Sequence, residues 1–185
     1  MRVIAGKARG RQLLFPASSR ERPTADSLRE TLFNILGPLE GKNFLDLFAG
    51  SGSVGIEAAS RGAIEVFFIE KDKKIAEVIK KNIASCNFEQ ICRIITRDAG
   101  AGLHDLFKSK CEFNIIFADP PYCRGLVKRT LQLLKENPVF VNETIVIIQH
   151  STREDIELDL DNRSIIKDQR KYGDNALTFL KMERS

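Results

Sequence analysis

Short apolar runs alternate with amphipathic stretches along most of the chain. From Lys42 onward, runs rich in β-branched and aromatic residues predict strands over 44–48, 66–70, 91–96, 114–118 and 144–149. Segments with apolar residues at helical spacing predict helices over about 53–61, 73–85, 100–108, 125–136 and 152–157. Strand–helix alternation of this kind is typical of an α/β fold with a mostly parallel sheet and helices on both faces.

The last two apolar runs predict a hairpin. Ser164–Arg170 and Ala176–Met182 are joined by the turn-forming sequence Lys171-Tyr172-Gly173-Asp174-Asn175. Because the strands of a hairpin are antiparallel, we expect a seven-stranded, mostly parallel sheet with an antiparallel C-terminal edge.

A short extension precedes the alternating part. Arg2–Ala5 and Gln12–Phe15 flank a turn rich in Gly, Lys and Arg, and they predict a hairpin. Pro23-Thr24 then opens an amphipathic helix that ends before Gly37-Pro38. We therefore expect an N-terminal hairpin and helix ahead of the main fold.

Length and composition restrict the class of protein. A chain of 185 residues suits one main domain, so we divide it into an extension, 1–38, and a domain, 39–185. With 43% apolar and 29% charged residues, the composition excludes disordered and fibrous classes. The sequence has no signal-peptide pattern, no apolar run of membrane-spanning length and no C-x-x-C pair. We expect a cytoplasmic monomer that has reduced thiols, binds no metal and does not associate with a membrane.

Positive charge is concentrated near the N-terminus. Residues 1–22 hold six basic side chains against Glu21, a net charge of +5, and the chain total of +4 leaves −1 for the other 163 residues. The basic residues are Arg2, Lys7, Arg9, Arg11, Arg20 and Arg22. Charge alone leaves two interpretations open, a segment that contacts a polyanion and an ordinary solvated surface. We predict that these residues bind RNA.

A glycine-rich turn follows the first strand of the main domain. Gly50, Gly52 and Gly55 match G-x-G-x-x-G between a predicted strand and a predicted helix, where backbone N–H groups can face a bound nucleoside. Glu70 ends the next strand, where a carboxylate can accept hydrogen bonds from ribose hydroxyls. The alternatives are a tight turn without a ligand and, for Glu70 and Asp98, acidic residues at helix starts. The spacing suits NAD as well as S-adenosylmethionine.

The sequence Asp119-Pro120-Pro121-Tyr122 distinguishes these two cofactors. It follows the fourth strand, which lies beside the first in the usual doubly wound order, so both motifs should face one cleft. The prolines hold Asp119 and the Pro120 carbonyl as fixed acceptors. Two acceptors can bind both hydrogens of an exocyclic NH₂ and localise its lone pair, so methyl transfer from a sulfonium then needs mainly in-line placement. Tyr122 supplies a ring on which an extruded base can stack.

The two motifs together resemble the amino-methyltransferases of the Rossmann-like class I group. Further segments are similar to the bacterial RsmD family, which methylates N2 of a guanine in 16S ribosomal RNA, and they are Arg2–Lys7, Arg22–Asp26, Arg29–Leu36 and Tyr172–Leu177. The resemblance implies S-adenosylmethionine as cofactor and guanine 966 as target. The implied partner is 16S ribosomal RNA within the small ribosomal subunit or its assembly intermediate.

The resemblance also implies a role for each motif residue. It implies that the methionine end of the cofactor is held by Asp46, Ala49, Gly50, Ser51 and Gly52. It implies that Glu70 holds the ribose and that Asp98 and Ala99 hold the adenine. The target guanine would be held by Asp119, Pro120 and Tyr122, and Pro121 completes the predicted catalytic motif.

Three other functions account for parts of the sequence. A DNA adenine-N6 or cytosine-N4 methyltransferase can share Asp119–Tyr122, but it normally carries a target-recognition region for which this chain has little room. An NAD-dependent dehydrogenase fits the glycine loop and Glu70 but leaves Asp119–Tyr122 unexplained. A non-catalytic RNA-binding or ribosome-assembly factor could keep the fold, although the intact Asp119 and glycine loop argue against it.

Overall fold

The computed structural model describes residues 1–15, 24–121, 125–154 and 164–182. The helices are α1 (Thr24–Leu36), α2 (Ser53–Ser60), α3 (Lys73–Ser85), α4 (Ala99–Lys108) and α5 (Leu126–Glu136). The strands are β1 (Asn43–Asp46), β2 (Glu65–Ile69), β3 (Cys92–Ile95), β4 (Phe113–Ala118), β5 (Phe140–Ser151), β6 (Ser164–Tyr172) and β7 (Asn175–Met182). Within these ranges, no helix combines the length and the apolar character needed to cross a bilayer.

All seven strands form one sheet in the order β3-β2-β1-β4-β5-β7-β6. Strands β1 to β5 pair in parallel, and β7 runs antiparallel between β5 and β6. The predicted α/β class with its antiparallel C-terminal edge is confirmed. Because β4 lies beside β1, the carboxyl ends of these two strands share one edge of the sheet, as the sequence predicted.

A hydrophobic core covers each face of the sheet. On one face, Phe33 of α1 and Ile79 of α3 pack with Phe44 and Phe68 of the sheet. On the other face, helices α4 and α5 pack on the sheet through residues that include Leu103 and Leu134. The sheet is therefore the middle layer of three, with loops at its carboxyl edge.

The N-terminal segment differs from the predicted pair of strands. It has one antiparallel bridge, between Arg2 and Gln12, and backbone hydrogen bonds from Val3 to Arg11 and from Leu13 to Met1. Regular pairing does not continue because the N–H groups of residues 4 and 5 donate to a side chain of α2 instead. The hairpin is thus reduced to a short antiparallel loop bound to the domain.

The predicted helix 152–157 is wrong where the structure describes it. Strand β5 continues to Ser151, and the next three residues form a turn in which Arg153 N donates to Ser151 Oγ. Residues 155–157 lie outside the described ranges. Strand β5 also begins earlier than predicted, because it pairs with Phe113 across a bulge that contains Glu143 at a positive φ of 66°.

Candidate active site

A cleft of about 530 Å³ opens at the carboxyl edge of the sheet. This volume lies within the range of about 300–1,000 Å³ that is usual for small-molecule sites. Six residues predicted from the sequence line it, namely Gly50, Glu70, Asp98, Ala99, Asp119 and Pro121. The fold therefore brings the glycine loop, the end of β2, the start of α4 and the end of β4 to one cavity.

The glycine loop between β1 and α2 needs glycine for two different reasons. Gly50 and Gly52 have φ angles of 52° and 76°, in the left-handed region that other residues rarely adopt. A Cβ atom on Gly55 would lie 2.3 Å from the ring of Phe68, so a glycine is needed for α2 to pack on β2. Thus Gly50 and Gly52 shape the turn, whereas Gly55 permits close packing of the helix on the sheet.

Asp46 lies buried beneath the glycine loop. Its Oδ2 accepts a hydrogen bond of 3.0 Å from Gly55 N, and the residue is not among those that line the cleft. Burial raises the pKa of Asp46 to about 7, with the charges of Asp119 and Glu70 adding to the rise and the Gly55 N–H opposing it. The geometry shows that Asp46 braces the loop, and its predicted contact with a cofactor stays a prediction.

Glu70 closes the loop from the side of β2. Its Oε2 accepts from Gly50 N at 3.0 Å and its Oε1 accepts from Asp72 N at 2.9 Å. Because a carboxylate has about four acceptor positions, about two remain for hydroxyl donors in the cleft. Asp72 caps α3 through Lys74 N and Ile75 N, so Glu70 is not the cap of that helix.

Asp98 does cap its helix. Its Oδ1 accepts from Ala101 N at 3.1 Å, and the residue is exposed at the rim of the cleft. Two glycines follow in α4 because a Cβ at Gly102 would lie 2.8 Å from Ile69, and one at Gly100 would lie 3.3 Å from Leu133. Asp98 therefore combines a capping role with a place in the cleft wall.

The segment after β4 places its two prolines differently. Asp119 is half-buried and Pro121 is exposed, and both line the cleft, whereas Pro120 is buried. Ala49, Ser51, Gly52 and Pro120 are not among the lining residues. Tyr122, predicted to stack on the target base, lies outside the described residues.

Several lining residues were not predicted from the sequence. Helix α5 forms one wall, and its lining residues are Leu126, Arg129, Thr130 and Leu133. The other unpredicted residues are Leu47, Phe48, Ile69, Lys71, Arg97 and Gly100. An amphipathic helix shows the same apolar periodicity whether its exposed end faces solvent or a ligand. The sequence therefore predicted the helix α5 but did not indicate that it lines the cleft.

Charged side chains of both signs line the cleft. Lys71, Arg97 and Arg129 line it together with three carboxylates. Arg97 and Arg129 are ion-paired at 3.5 Å to Asp105 and 3.7 Å to Glu136. In the part of the chain that the structure describes, no group of His, Cys, Asp and Glu is arranged to hold a metal ion.

The basic N-terminal segment is anchored on α2. The buried Glu57 accepts from Ile4 N at 2.8 Å and from Ala5 N at 3.0 Å, and Ser60 Oγ accepts from Ala8 N at 2.9 Å. This anchoring leaves the side chains of Arg2, Lys7, Arg9 and Arg11 exposed. Arg20 and Arg22 lie outside the described ranges. Exposed basic side chains, on a backbone that is hydrogen-bonded to α2, therefore adjoin the helix that follows the glycine loop.

Comparisons with known proteins place the chain among named relatives. The family model described as Conserved hypothetical protein 95 matches residues 1–181. The putative rRNA methyltransferase YlbH of Bacillus subtilis is 37% identical over 151 residues, which cover 81% of this chain and 82% of that protein. The ribosomal RNA small subunit methyltransferase D of Escherichia coli K12 is 38% identical over 150 residues, covering 80% of this chain and 74% of that protein.

A solved structure extends the likeness to the whole fold. The putative methyltransferase yhhF from Escherichia coli superposes with a TM-score of 0.85 at 33% identity, and the match covers 100% of this chain and 99% of that one. The likeness thus includes the N-terminal segment as well as the sheet. The chain belongs to the Conserved hypothetical protein 95 family, the RsmD family that its motifs resemble.

Proposed function

We propose that the protein transfers a methyl group from S-adenosylmethionine to N2 of guanine 966 in 16S ribosomal RNA. The observation that carries this proposal is the position of Asp119 in the same cleft as the glycine loop and Glu70. The names of the relatives in Bacillus subtilis and Escherichia coli, both rRNA methyltransferases, support ribosomal RNA as the substrate.

The residues of the cleft fit this cofactor. Glu70 keeps about two acceptor positions for ribose hydroxyls. Leu126, Leu133 and Ala99 also line the cleft, and they provide apolar surface against which the adenine can pack. The carboxylates of Asp119 and Glu70 can attract the sulfonium cation, and Asp46 adds to this attraction when ionised. Two of the basic side chains that line the cleft, Arg97 and Arg129, are paired with Asp105 and Glu136. When bound, the cofactor supplies an electrophilic methyl group on a sulfonium sulfur.

Asp119 acts on the target amine. Its carboxylate and the Pro120 carbonyl accept the two N–H hydrogen bonds of the guanine N2 amine, which localises the nitrogen lone pair towards the methyl group. After transfer the nitrogen carries one proton too many, and Asp119 can accept it. Tyr122 stacks on the guanine and holds it out of the RNA.

The basic N-terminal segment positions the RNA. The exposed side chains of Arg2, Lys7, Arg9 and Arg11 provide positive charge beside α2, and Arg20 and Arg22 extend the same segment. Phosphate contacts of this kind orient a nucleic acid without reading its sequence. The protein acts as a monomer in the cytoplasm, on the small ribosomal subunit or on its assembly intermediate.

Labelled S-adenosylmethionine incubated with small ribosomal subunits from a strain that lacks the enzyme tests the proposal. We expect label in one N2-methylguanine of 16S RNA, located by nucleotide mapping. The matched variant Asp119→Asn should bind S-adenosylhomocysteine normally and lose about 10²–10³ in single-turnover rate, as expected for one preorganised polar contact.

Parallel assays with duplex DNA and with NAD separate the alternative functions. Label in duplex DNA but not in ribosomal RNA would indicate a DNA amino-methyltransferase. Saturable NAD binding without affinity for S-adenosylhomocysteine would indicate a dehydrogenase. Binding of the cofactor and of the subunit without any methyl transfer would indicate a non-catalytic assembly factor.

A further inference from the structure

Asn82 is a buried polar residue of α3 that contacts two separate backbone segments. Its Oδ1 accepts from Leu14 N at 2.7 Å, and its Nδ2 donates to Leu14 O and to Ser51 O, both at 3.0 Å. The opposite orientation of the amide would place Oδ1 against two carbonyl oxygens. The amide is therefore oriented by its partners, and both of its hydrogens are used.

One of these partners belongs to the glycine loop. Ser51 lies between Gly50 and Gly52, whose left-handed conformations set the direction of the loop carbonyls. Helix α3 also supports the loop through Ile79, since a Cβ on Gly52 would lie 3.0 Å from Ile79 Cγ2. Asn82 and Ile79, which lie one turn apart on α3, thus both support the glycine loop.

The other partner belongs to the basic N-terminal segment. Leu14 ends the antiparallel loop that carries Arg9 and Arg11, and Leu13 beside it is buried in the core. Glu57 and Ser60 anchor the earlier part of the segment, at residues 4–8. Asn82 anchors Leu14, where the antiparallel loop ends, and Asn82 is also bonded to the glycine loop.

We propose that Asn82 is a positioning residue that couples the N-terminal segment to the glycine loop, so that RNA binding at the segment tightens cofactor binding. The two hydrogens of one amide group are shared between Leu14 O and Ser51 O, so a shift of either carbonyl changes the geometry of the other hydrogen bond. By thermodynamic reciprocity, cofactor binding must tighten RNA binding by the same factor. The RNA part of this inference rests on the proposed function.

The first test needs no RNA. Hydrogen exchange of residues 12–15 is measured by mass spectrometry with and without S-adenosylhomocysteine, because Leu14 N–H is bonded to Asn82. We expect the thioether to slow this exchange by about fivefold or more in the wild type and to have no effect in Asn82→Ala. Unchanged exchange in a wild-type protein saturated with the thioether would overturn the inference while leaving the proposed function intact.

The second test measures the coupling itself. The Kd of S-adenosylhomocysteine is determined with and without small ribosomal subunits for the wild type, Asn82→Ala and the control Ser60→Ala. Ser60→Ala removes side-chain bonds to residues 5 and 8, and none of the described contacts of that side chain reaches the glycine loop. We expect small ribosomal subunits to lower the Kd of S-adenosylhomocysteine by about fivefold or more in the wild type and in Ser60→Ala. In Asn82→Ala the Kd should be nearly the same with and without subunits.

The outcomes separate coupling from a purely structural role. If Asn82 only stabilised the fold, Asn82→Ala would lower the melting temperature while the tightening persisted, and the inference would be wrong. An equal loss of coupling in Ser60→Ala would also contradict the inference, because the coupling would then depend on contacts of α2 and not specifically on Asn82. A wild type that bound no S-adenosylhomocysteine would overturn the proposed function and this inference together.

Discussion

Acidic residues that look equivalent in the sequence occupy different environments in the fold. Asp72 and Asp98 cap helices through backbone N–H groups, whereas Glu70 bonds to the glycine loop and Asp46 is buried beneath it. Of these four residues only Asp46 is buried, and its pKa is raised to about 7 mainly for that reason. A buried carboxyl with a raised pKa makes stability depend on pH.

Asp46→Asn tests this burial. The folded state favours the protonated form of Asp46. The contribution of this group to the stability of the folded protein is therefore fully present below about pH 4 and is lost as the pH rises to about 7. The shift from 3.8 to about 7 corresponds to about 4 kcal/mol. Asparagine keeps an acceptor for Gly55 N and does not ionise, so the variant should gain about 4 kcal/mol relative to the wild type between pH 4 and pH 8.

Urea unfolding of the ligand-free proteins across this pH range measures the difference. Asp105→Asn, which alters a half-exposed carboxyl at the protein surface, is the matched control and should show little pH-dependent difference from the wild type. A difference between wild type and Asp46→Asn that is constant with pH would show that Asp46 stays ionised in the folded protein.

At the level of elements, the N-terminal segment replaces regular strand pairing with bonds to the domain. Glu57, Ser60 and Asn82 are all buried side chains that bond to its backbone groups. Because the backbone is held by the domain, the basic side chains are free to face a partner. Residues 1–15 therefore present their basic side chains from a backbone that is bonded to the domain.

Replacing Lys7, Arg9 and Arg11 with alanine tests the charge of this segment. Each lost phosphate contact should reduce the slope of log affinity against log salt by about 0.7–0.9, so binding of a 16S RNA transcript weakens and becomes less sensitive to salt. Affinity for S-adenosylhomocysteine without RNA should stay the same, because none of the three residues lines the cleft.

A second triple variant controls for the change in net charge. Lys42 precedes β1, and Lys108 and Lys135 lie in the last turns of α4 and α5, so all three stand at the amino edge of the sheet, opposite the cleft. Replacing them with alanine removes the same charge and should leave the salt slope unchanged. Equal effects of the two triple variants would show that RNA responds to net charge alone.

At the level of the whole molecule, the N-terminal extension and the α/β domain share one core. Phe33 of α1 stacks on Phe44 of β1 with ring centroids 6.2 Å apart, and Arg61 lies over the Phe33 ring at 5.0 Å. Val3 and Leu13 are buried in the same cluster. Continuous packing of this kind favours cooperative unfolding of the extension with the domain.

Phe33→Ala tests whether the extension and the domain unfold as one unit. Removing a buried phenylalanine costs about 3–5 kcal/mol, and we expect the single urea transition to shift without splitting. Phe107→Ala is the matched control, since Phe107 is 43% exposed and its loss should cost little. Two separate transitions in the wild type would show instead that residues 1–38 form an independent unit.

The sequence by itself determined the alternation of strands and helices from β1 to β5, the C-terminal hairpin, the fold class, the family and the glycine, acidic and Asp119 motifs of the cleft. Periodicity and local motifs carry this information, because a strand, a helix or a tight turn depends on residues close together in the chain. The same reasoning missed the bulge before Thr144 and wrongly predicted a helix from residue 152. The true extent of β5 at both ends depends on its pairing with strands that are distant in the chain.

Only the tertiary structure decided which motif residues face the cleft and which support it. Asp46 is buried beneath the glycine loop and Pro120 is buried next to Asp119 in the chain, while α5, which no sequence pattern indicated as part of the site, forms part of the cleft wall. The tertiary structure also brought Asn82 to Leu14 and Ser51, which lie 68 and 31 residues away along the chain. An asparagine in an amphipathic helix gives no local sign of such partners, because they come together only when the sheet and both of its faces are assembled.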